Sequence, residues 1–216
     1  MNTIENLYPY QIKAIDYILS KMRCGLFLDM GLGKTVITLT AISRLLDEFT
    51  IAKVLIIGPF KVVNEVWPTQ INEWEHLTHL KFSKVIGTEK ERLQALDKDV
   101  NIYLINRENV HWLYKTKNIN WDFIVIDESS SFKSSSSKRF KALRKFQYEY
   151  IVELSGTPSP NGLLDLWSQI YLIDKGVRLG KSMSAYKERY FFCDYTGYNY
   201  MPICPQKIYD AISDIT

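Results

Sequence analysis

Cysteine is scarce in this chain, which has three, Cys24, Cys193 and Cys204, and no C-x-x-C pair among them. An odd, widely spaced set excludes a disulfide framework and suits a reducing compartment. Long apolar runs are missing, and no stretch approaches the length needed to cross a bilayer. The start, Met1-Asn2-Thr3-Ile4-Glu5-Asn6, lacks the basic residues and apolar core of a secretory leader. A strong charge of one sign is also missing: 27 Lys and Arg against 24 Asp and Glu leave +3, too mild to argue a nucleic-acid partner by itself. His76, His79 and His111 show no ligand spacing with cysteine, so no zinc is expected. There is no internal repeat. These absences lead to the expectation of a cytoplasmic protein without membrane partners. Its 216 residues, 46% of them hydrophobic, allow one sizeable domain or one domain with an appendage.

What is present is organised around Asp29-Met30-Gly31-Leu32-Gly33-Lys34-Thr35. An apolar run, Gly25-Leu26-Phe27-Leu28, precedes it and reads as a buried strand. Val36, Ile37, Leu39, Ile42, Leu45 and Leu46 follow at helical spacing. Strand, glycine loop, Gly-Lys-Thr and helix together read as a phosphate-binding loop. Gly31 and Gly33 let the backbone turn its N–H groups onto an anion. The helix N-terminus adds partial positive charge. Lys34 can reach β- and γ-phosphates, and the Thr35 hydroxyl can ligate Mg²⁺. The strict pattern G-x-x-x-x-G-K-[ST] wants glycine where this chain has Leu28. The loop alone therefore leaves two readings, a nucleotide site or a glycine-rich turn without a ligand.

Along the chain, residues 9–22 read as an amphipathic helix with Pro9 at its start and Gln11 in its first turn. The Gln11 amide carries both a donor and an acceptor, which suits an adenine edge, but from this residue alone a solvated helix glutamine is the better reading. Strands are expected at 53–58, 81–86, 102–105, 123–126 and 150–154. Helices are expected at 61–76, interrupted before Pro68, and at 88–97, 106–114, 137–146 and 162–173. Short apolar strands alternating with helices mark an α/β domain with a mainly parallel sheet covered on both faces. Past residue 175 the alternation stops and aromatics gather: Tyr186, Tyr190, Phe191, Phe192, Tyr195, Tyr198 and Tyr200. Helical pieces near 182–192 and 205–214 are expected there. The rings read as local core, with base stacking as the competing use. The domain reading is thus a unit at 1–174 and a small helical extension at 175–216.

Ligands bind such sheets beyond the carboxyl ends of the strands. Three ends are suited to this: Leu28 into the glycine loop, Ile126 into Asp127-Glu128, and Leu154 into Ser155-Gly156-Thr157. In a phosphate-loop enzyme a strand-end aspartate holds the Mg²⁺ shell, and a neighbouring carboxylate can orient the attacking water. One acidic residue at a strand end is commonplace, but the pair together with the other two segments is not.

These segments, in this order, resemble motifs I, II and III of superfamily 2 helicases. Finer details resemble the Swi/Snf-type branch of DNA-dependent ATPases, in its short bacterial or phage form. They are Met30 to Thr35; Gly58-Pro59 with Trp67 and Glu73-Trp74; Asp127-Glu128 with Phe132-Lys133; and Gly156-Thr157-Pro158 with Asn161, Leu164 and Leu166-Trp167. Tyr10-Gln11 resembles the family's adenine-contacting segment. The likeness covers roughly residues 7–175, and it removes the objection from Leu28, since the family has no glycine there. It implies a three-layer, RecA-like P-loop NTPase fold with ATP and Mg²⁺ as cofactors. Residues implied to bind nucleotide are Gln11, Met30, Gly31, Leu32, Gly33, Lys34 and Thr35. Thr35 and Asp127 are implied to hold Mg²⁺, and Lys34, Asp127 and Glu128 to carry the hydrolysis. Ser155, Gly156 and Thr157 would link the nucleotide to the DNA grip. Ser129-Ser130 departs from the family, which has a small residue and a histidine after Asp-Glu. Family members also have a second RecA-like lobe that supplies an arginine finger, a group that contributes about 10³–10⁵ in rate. This chain reaches Thr216 about where that lobe would begin, so weak ATP binding and slow hydrolysis are expected.

DNA is the implied partner, held through its backbone with little sequence preference. Pro59 and Lys61 lie in the segment resembling motif Ia. Lys133, Lys138, Arg139, Lys141, Arg144 and Lys145 form the strongest basic cluster, and the serines among them suggest a mobile polar loop. A solvated basic helix face explains the cluster equally well. Two other functions remain open on the sequence. One is an ATP-regulated recruitment module without efficient turnover, against which Glu128 argues. The other is a small-molecule kinase, against which the absence of an evident lid or acceptor pocket argues.

Overall fold

The computed structural model describes residues 1–116, 119–197 and 199–216. Six strands form the central sheet: β1 (Arg23–Phe27), β2 (Val54–Gly58), β3 (Phe82–Val85), β4 (Ile102–Asn106), β5 (Trp121–Asp127) and β6 (Tyr148–Ser155). Their spatial order is β1-β6-β5-β2-β4-β3, and every pair is parallel. The strands are continuous apolar runs because both faces are covered. Val54, Ile56, Phe123, Val125, Val152 and Leu154 face one layer, while Leu55, Ile57, Ile124, Ile126 and Ile151 face the other.

The first layer holds α1 (Pro9–Lys21), α2 (Lys34–Asp47) and α3 (Trp67–Glu73). The second holds α4 (Glu89–Leu96), α5 (Val110–Thr116), α6 (Lys138–Leu143) and α7 (Leu166–Asp174). Local chemistry sets several boundaries. Pro9 opens α1, and Met22 closes it in the left-handed conformation at φ 59°. Thr88 and Glu91 form a reciprocal cap at the start of α4. The expected interruption before Pro68 takes a specific form. Residues 62–66 make a π-helical turn, after which Pro68 sits in the first turn of α3, where its missing N–H costs nothing.

Past α7 come α8 (Met183–Tyr190), a hairpin of β7 (Phe191–Cys193) and β8 (Tyr200–Pro202), and α9 (Pro205–Ile212). The helix expected over 182–192 therefore stops at Tyr190. Phe191 and Phe192 instead pair with Pro202 and Met201. Asp194 stabilises the turn by accepting from Thr196 N–H at 3.1 Å, and Gly197 supplies φ 78°. Tyr186, Tyr190 and Phe191 are core residues, Tyr195 is fully exposed, and Tyr198 lies outside the described residues. Leu179, Tyr186, Ile208, Ile212 and Ile215 join the same apolar cluster as Ile151 and Ile170. Polar bonds fix the tail as well: Trp167 Nε1 donates to Gly180 O at 2.9 Å and Gly25 N–H to Ile215 O at 2.7 Å. Among the described residues no helix is long and apolar enough to cross a membrane.

Because Ile208 is fully buried in that shared cluster, Ile208→Ala should lower the unfolding free energy of the whole chain by about 2–5 kcal/mol. Urea unfolding should remain a single transition. A loss below about 1 kcal/mol would show that the tail contributes little to the main core.

Candidate nucleotide site

The ends of β1, β6 and β5 lie side by side. Phe27 is in register with Ser155, and Asp127 with Leu154. The glycine loop leaves β1 and enters α2 with Gly31 at φ 83° and Gly33 at φ 76°. At Gly33 a Cβ would also come within 2.4 Å of Gln11 Nε2, so conformation and space both demand glycine. Gly33 caps the fourteen-residue α2 without a side chain, which leaves the first-turn N–H groups for an anion. Gly156 brings its backbone close to the loop, with Leu28 O and Met30 about its α-carbon.

The loop's side chains are placed as follows. Lys34 Nζ donates to Leu28 O at 2.7 Å and Asp29 O at 3.0 Å, both within its own loop. Thr35 is the next residue of α2 and is half-buried, whereas Met30 is exposed. Gln11 is buried, which removes the solvated-glutamine alternative. Its Oε1 accepts from Tyr8 N–H at 2.9 Å and its Nε2 donates to Leu32 O at 3.3 Å. Tyr10 OH donates to the same carbonyl at 3.2 Å, and the Tyr8 and Tyr10 rings stack at 5.8 Å.

Asp127 closes β5 facing α3. Its Oδ2 accepts from Trp67 Nε1 at 2.9 Å. Burial pushes the Asp127 carboxyl above the usual aspartate range and Glu128's charge adds to this, while the Trp67 bond and Lys34's charge oppose it. Lys34 is thus within electrostatic reach of Asp127, and motifs I and II meet. A buried carboxylate held against its own desolvation is suited to a cation, so Asp127 and Thr35 fit Mg²⁺. Among the described residues no group of three His, Cys, Asp or Glu could hold a metal. One carboxylate and one hydroxyl are not a protein-only cage, and Mg²⁺ with a nucleotide does not require one.

Glu128 has φ 59°, a left-handed conformation that non-glycine residues adopt at a cost and that clusters at active sites. Its Oε1 accepts from Ser130 Oγ at 2.5 Å and from Ser155 Oγ at 3.4 Å. Ser155 Oγ in turn accepts from Thr157 N–H at 3.1 Å. The departure at Ser129-Ser130 therefore has a structural answer. Ser130 bonds the Glu128 carboxylate directly, and Ser129 Oγ donates to Gln169 Oε1 on α7 at 2.7 Å.

The candidate DNA residues fall on the same edge of the sheet but in different surroundings. Pro59, Phe60 and Lys61 follow β2, with Phe60 and Lys61 exposed. A groove of about 420 Å³ beside them is lined by Phe60, Lys84, Gln94 and Lys98. A second groove of about 400 Å³ is lined by Arg107, Ser130, Lys133, Ser137, Arg139 and Pro160. Lys138 lies exposed next to it. Lys133 also pairs with Asp165 at 3.4 Å. Arg144 and Lys145 turn away, over the rings of Tyr171 and Tyr114. The serines are ordered: 129–132 form a 3₁₀ turn and Ser137 Oγ caps α6 by accepting from Phe140 N–H. Sequence reading named Trp67 as a detail of the family resemblance and Ser130 as a departure from it, without a task at the site, and it missed Gln169 and Arg107, which no motif or spacing marked.

The SNF2-related domain family matches residues 10–190. Protein p41 of Acyrthosiphon pisum secondary endosymbiont phage 1 is 36% identical over 194 residues, covering 85% of this chain and 42% of its own length. The ISWI chromatin-remodeling complex ATPase ISW1 of Saccharomyces cerevisiae is 30% identical over 174 residues, covering 75% of this chain and 15% of its own. The solved structure of the Sulfolobus solfataricus SWI2/SNF2 ATPase core in complex with dsDNA superposes with a TM-score of 0.83 at 28% identity. That match covers 97% of this chain and 43% of the solved one. The chain thus spans less than half the length of these relatives. On this match and on the ordered site, the chain belongs to the SNF2-related family, with the fold of the first RecA-like lobe of Swi/Snf-type superfamily 2 ATPases.

Proposed function

We propose that this chain is the ATP-binding lobe of a DNA-dependent ATPase that couples ATP hydrolysis to movement on, or remodelling of, DNA. Residues 1–174 make the lobe and 175–216 its extension, and the protein works in the cytoplasm of a bacterial or phage-infected cell. The observation that supports this best is the meeting of three segments at adjacent strand ends. Lys34 acts electrostatically on Asp127, and Ser155 bonds Glu128.

Each residue has a task that follows from its chemistry. The N–H groups of residues 31–35 and Lys34 hold the phosphates. Gln11 reads the adenine edge once its amide leaves Tyr8 N–H and Leu32 O. Thr35 and Asp127 hold Mg²⁺, which when bound neutralises charge on the phosphate oxygens. Glu128, aimed by its left-handed backbone and by Ser130, orients the attacking water and accepts its proton. Ser155 and Thr157 report the state of Glu128 to the segment leading to α7. DNA lies along the edge with Pro59, Lys61, Lys133, Lys138 and Arg139, where contacts to phosphate carry no sequence information. A second RecA-like lobe supplies the arginine that this site lacks, so the chain alone turns over slowly.

ATP hydrolysis with and without duplex DNA, for this chain and for one joined to a second lobe, tests the reading. DNA-stimulated turnover in the two-lobe form alone supports it, and turnover by the single chain matching the two-lobe form rejects the sharing of the site. Lys34→Ala should weaken nucleotide binding, read by titration with a fluorescent ATP analogue. Glu128→Gln should keep binding and lower turnover by about 10²–10⁴, and unchanged turnover would remove its assigned role. Trp67→Phe deletes the indole N–H that donates to Asp127 Oδ2, so the Asp127 carboxyl should rise further. The Mg²⁺ concentration needed for half-maximal turnover should then increase, most of all at acid pH.

A further inference from the structure

Glu153 lies in the middle of β6, the strand between β1 and β5, and is completely buried. It stands in register with Gly25 and Ile126. Its strand neighbours Val152 and Leu154 face α1, α2 and α3, so Glu153 faces α7 with Ile151. Asp127, which bonds Trp67 of α3, faces the opposite layer. Both Glu153 carboxyl oxygens are buried and make no hydrogen bond in this structure. An apolar residue would be the cheaper occupant, since an ionised carboxylate in such a place costs several kcal/mol.

Ser129 is the polar side chain that acts on this carboxyl. It is itself fully buried, and it already spends its hydroxyl proton on Gln169 Oε1. Its oxygen lone pairs remain able to accept. Gln169 Nε2 donates onward to Pro158 O at 2.5 Å and to Asp165 O at 3.0 Å. Asp165 pairs with Lys133 at the basic groove. A proton on Glu153 completes this chain with every donor pointing the same way: Glu153 to Ser129, Ser129 to Gln169, Gln169 to Pro158. An ionised Glu153 offers only acceptors. Ser129 would then turn its proton inward, and Gln169 Oε1 would lose its donor.

We propose that Glu153 is a positioning residue of the nucleotide site, its carboxylic acid donating to Ser129 and so holding the Glu128–Ser130 turn to α7 and to the segment after Thr157. This rests on the ATPase reading above. Burial favours the protonated form, raising the carboxyl well above the ordinary glutamate range. The Ser129 hydroxyl opposes this shift, and burial outweighs it. Gly25 and Ile126 flank it on β1 and β5, and Ser168 and Gln169 are the buried polar residues of α7. Glu128 on the turn has its Oε1 held by Ser130 and Ser155. Tyr148, lower on β6, is pushed up partly by Glu153 itself, and the cations Arg23 and Lys175 bond at Tyr148.

The test compares the wild-type chain with Glu153→Gln, which keeps a donor, and Glu153→Met, which keeps the volume and removes both polar atoms. Infrared spectra at neutral pH should show a protonated-carboxyl band in the wild type that is missing from both variants. Amide hydrogen exchange at residues 128–131 should quicken in Glu153→Met and stay near wild type in Glu153→Gln. With ATP and duplex DNA, Glu153→Met should lose about ten- to hundredfold in kcat at little change in KM. Glu153→Gln should hold its rate to higher pH than the wild type. Its stability should also gain on the wild type as pH rises, because a raised carboxyl stabilises the fold at low pH and loses that contribution as it ionises. A missing band, or wild-type exchange and turnover in Glu153→Met, overturns the proposal. The rates are read on the chain joined to a second lobe; if that wild type hydrolyses no ATP, the ATPase reading fails by itself, and the band and the exchange rates still decide the role of Glu153.

Discussion

Parallel pairing of β6 with both β1 and β5 is the constraint on which the site depends. A parallel pair sends both strands to the same edge of the sheet, so loops that follow such strands must meet there. Strand β6 sits between the other two, with Ser155 level with Phe27 and Leu154 level with Asp127. Asp127 lies 93 positions after Lys34 (127 − 34) and Ser155 28 positions after Asp127 (155 − 127), yet the three segments cannot avoid one another once the sheet forms. The apolar side chains on the two faces pay for this arrangement. Cys24, Leu26, Val152 and Leu154 are buried under the first layer, and Ile124, Ile126 and Ile151 under the second. A one-residue slip of β6 would reverse those faces and move Ser155 away from Glu128.

Much of this was legible in the sequence because the strands are buried on both faces. Continuous runs such as Val54 to Ile57 and Phe123 to Ile126 need no partner to be recognised, and the residues that follow them carry the chemistry. The boundaries that failed lie where local and tertiary preferences compete. Phe191 and Phe192 continue a helical spacing but pair as strand, because the Asp194–Gly197 turn folds Tyr200 to Pro202 back onto them. The serines after Asp127-Glu128 read as mobile by composition. In the structure Ser129 is buried and bonded to α7, and Ser130 bonds Glu128. No periodicity marks such bonds, since a serine is common both in loops and as a satisfied buried group. Glu153 was invisible for a related reason: within an apolar strand it read as an interruption at a position whose facing helix is not known from sequence.

The basic residues divide in a way that charge counting cannot anticipate. Lys133, Arg139 and Arg107 line one groove, while Arg144 and Lys145 cover tyrosine rings on the other side of α6. Helix α6 ends at Leu143, and at about 100° per residue Arg139 and Arg144 stand roughly 140° apart around its axis, with the buried Phe140 and Leu143 between them. Lys133 has a divided role. Its ion pair with Asp165 is partly buried and fixes the start of α7, and its backbone carbonyl accepts from Ser168. On the DNA path proposed above, a phosphate approaching Lys133 competes with Asp165 at the start of the helix that Gln169 ties to the Glu128–Ser130 turn.

The glycine loop holds itself in shape by contacts that a nucleotide must replace. Lys34 donates to two loop carbonyls, and Gln11 and Tyr10 share Leu32 O. Exchanging neutral carbonyls for phosphate oxygens is favourable for Lys34, because charge-assisted bonds are roughly twice as strong as neutral ones. For Gln11 the exchange is of like for like, since a carbonyl and an N–H are traded for the acceptor and donor of a base edge. Adenine contact by Gln11 therefore adds discrimination more than affinity, and the affinity of this half-site falls mainly on Lys34, the α2 N-terminus and the cation at Asp127. Those are the groups whose charge is best balanced when an arginine completes the far side. On the function proposed above, a single lobe should bind modestly and gain most from closure.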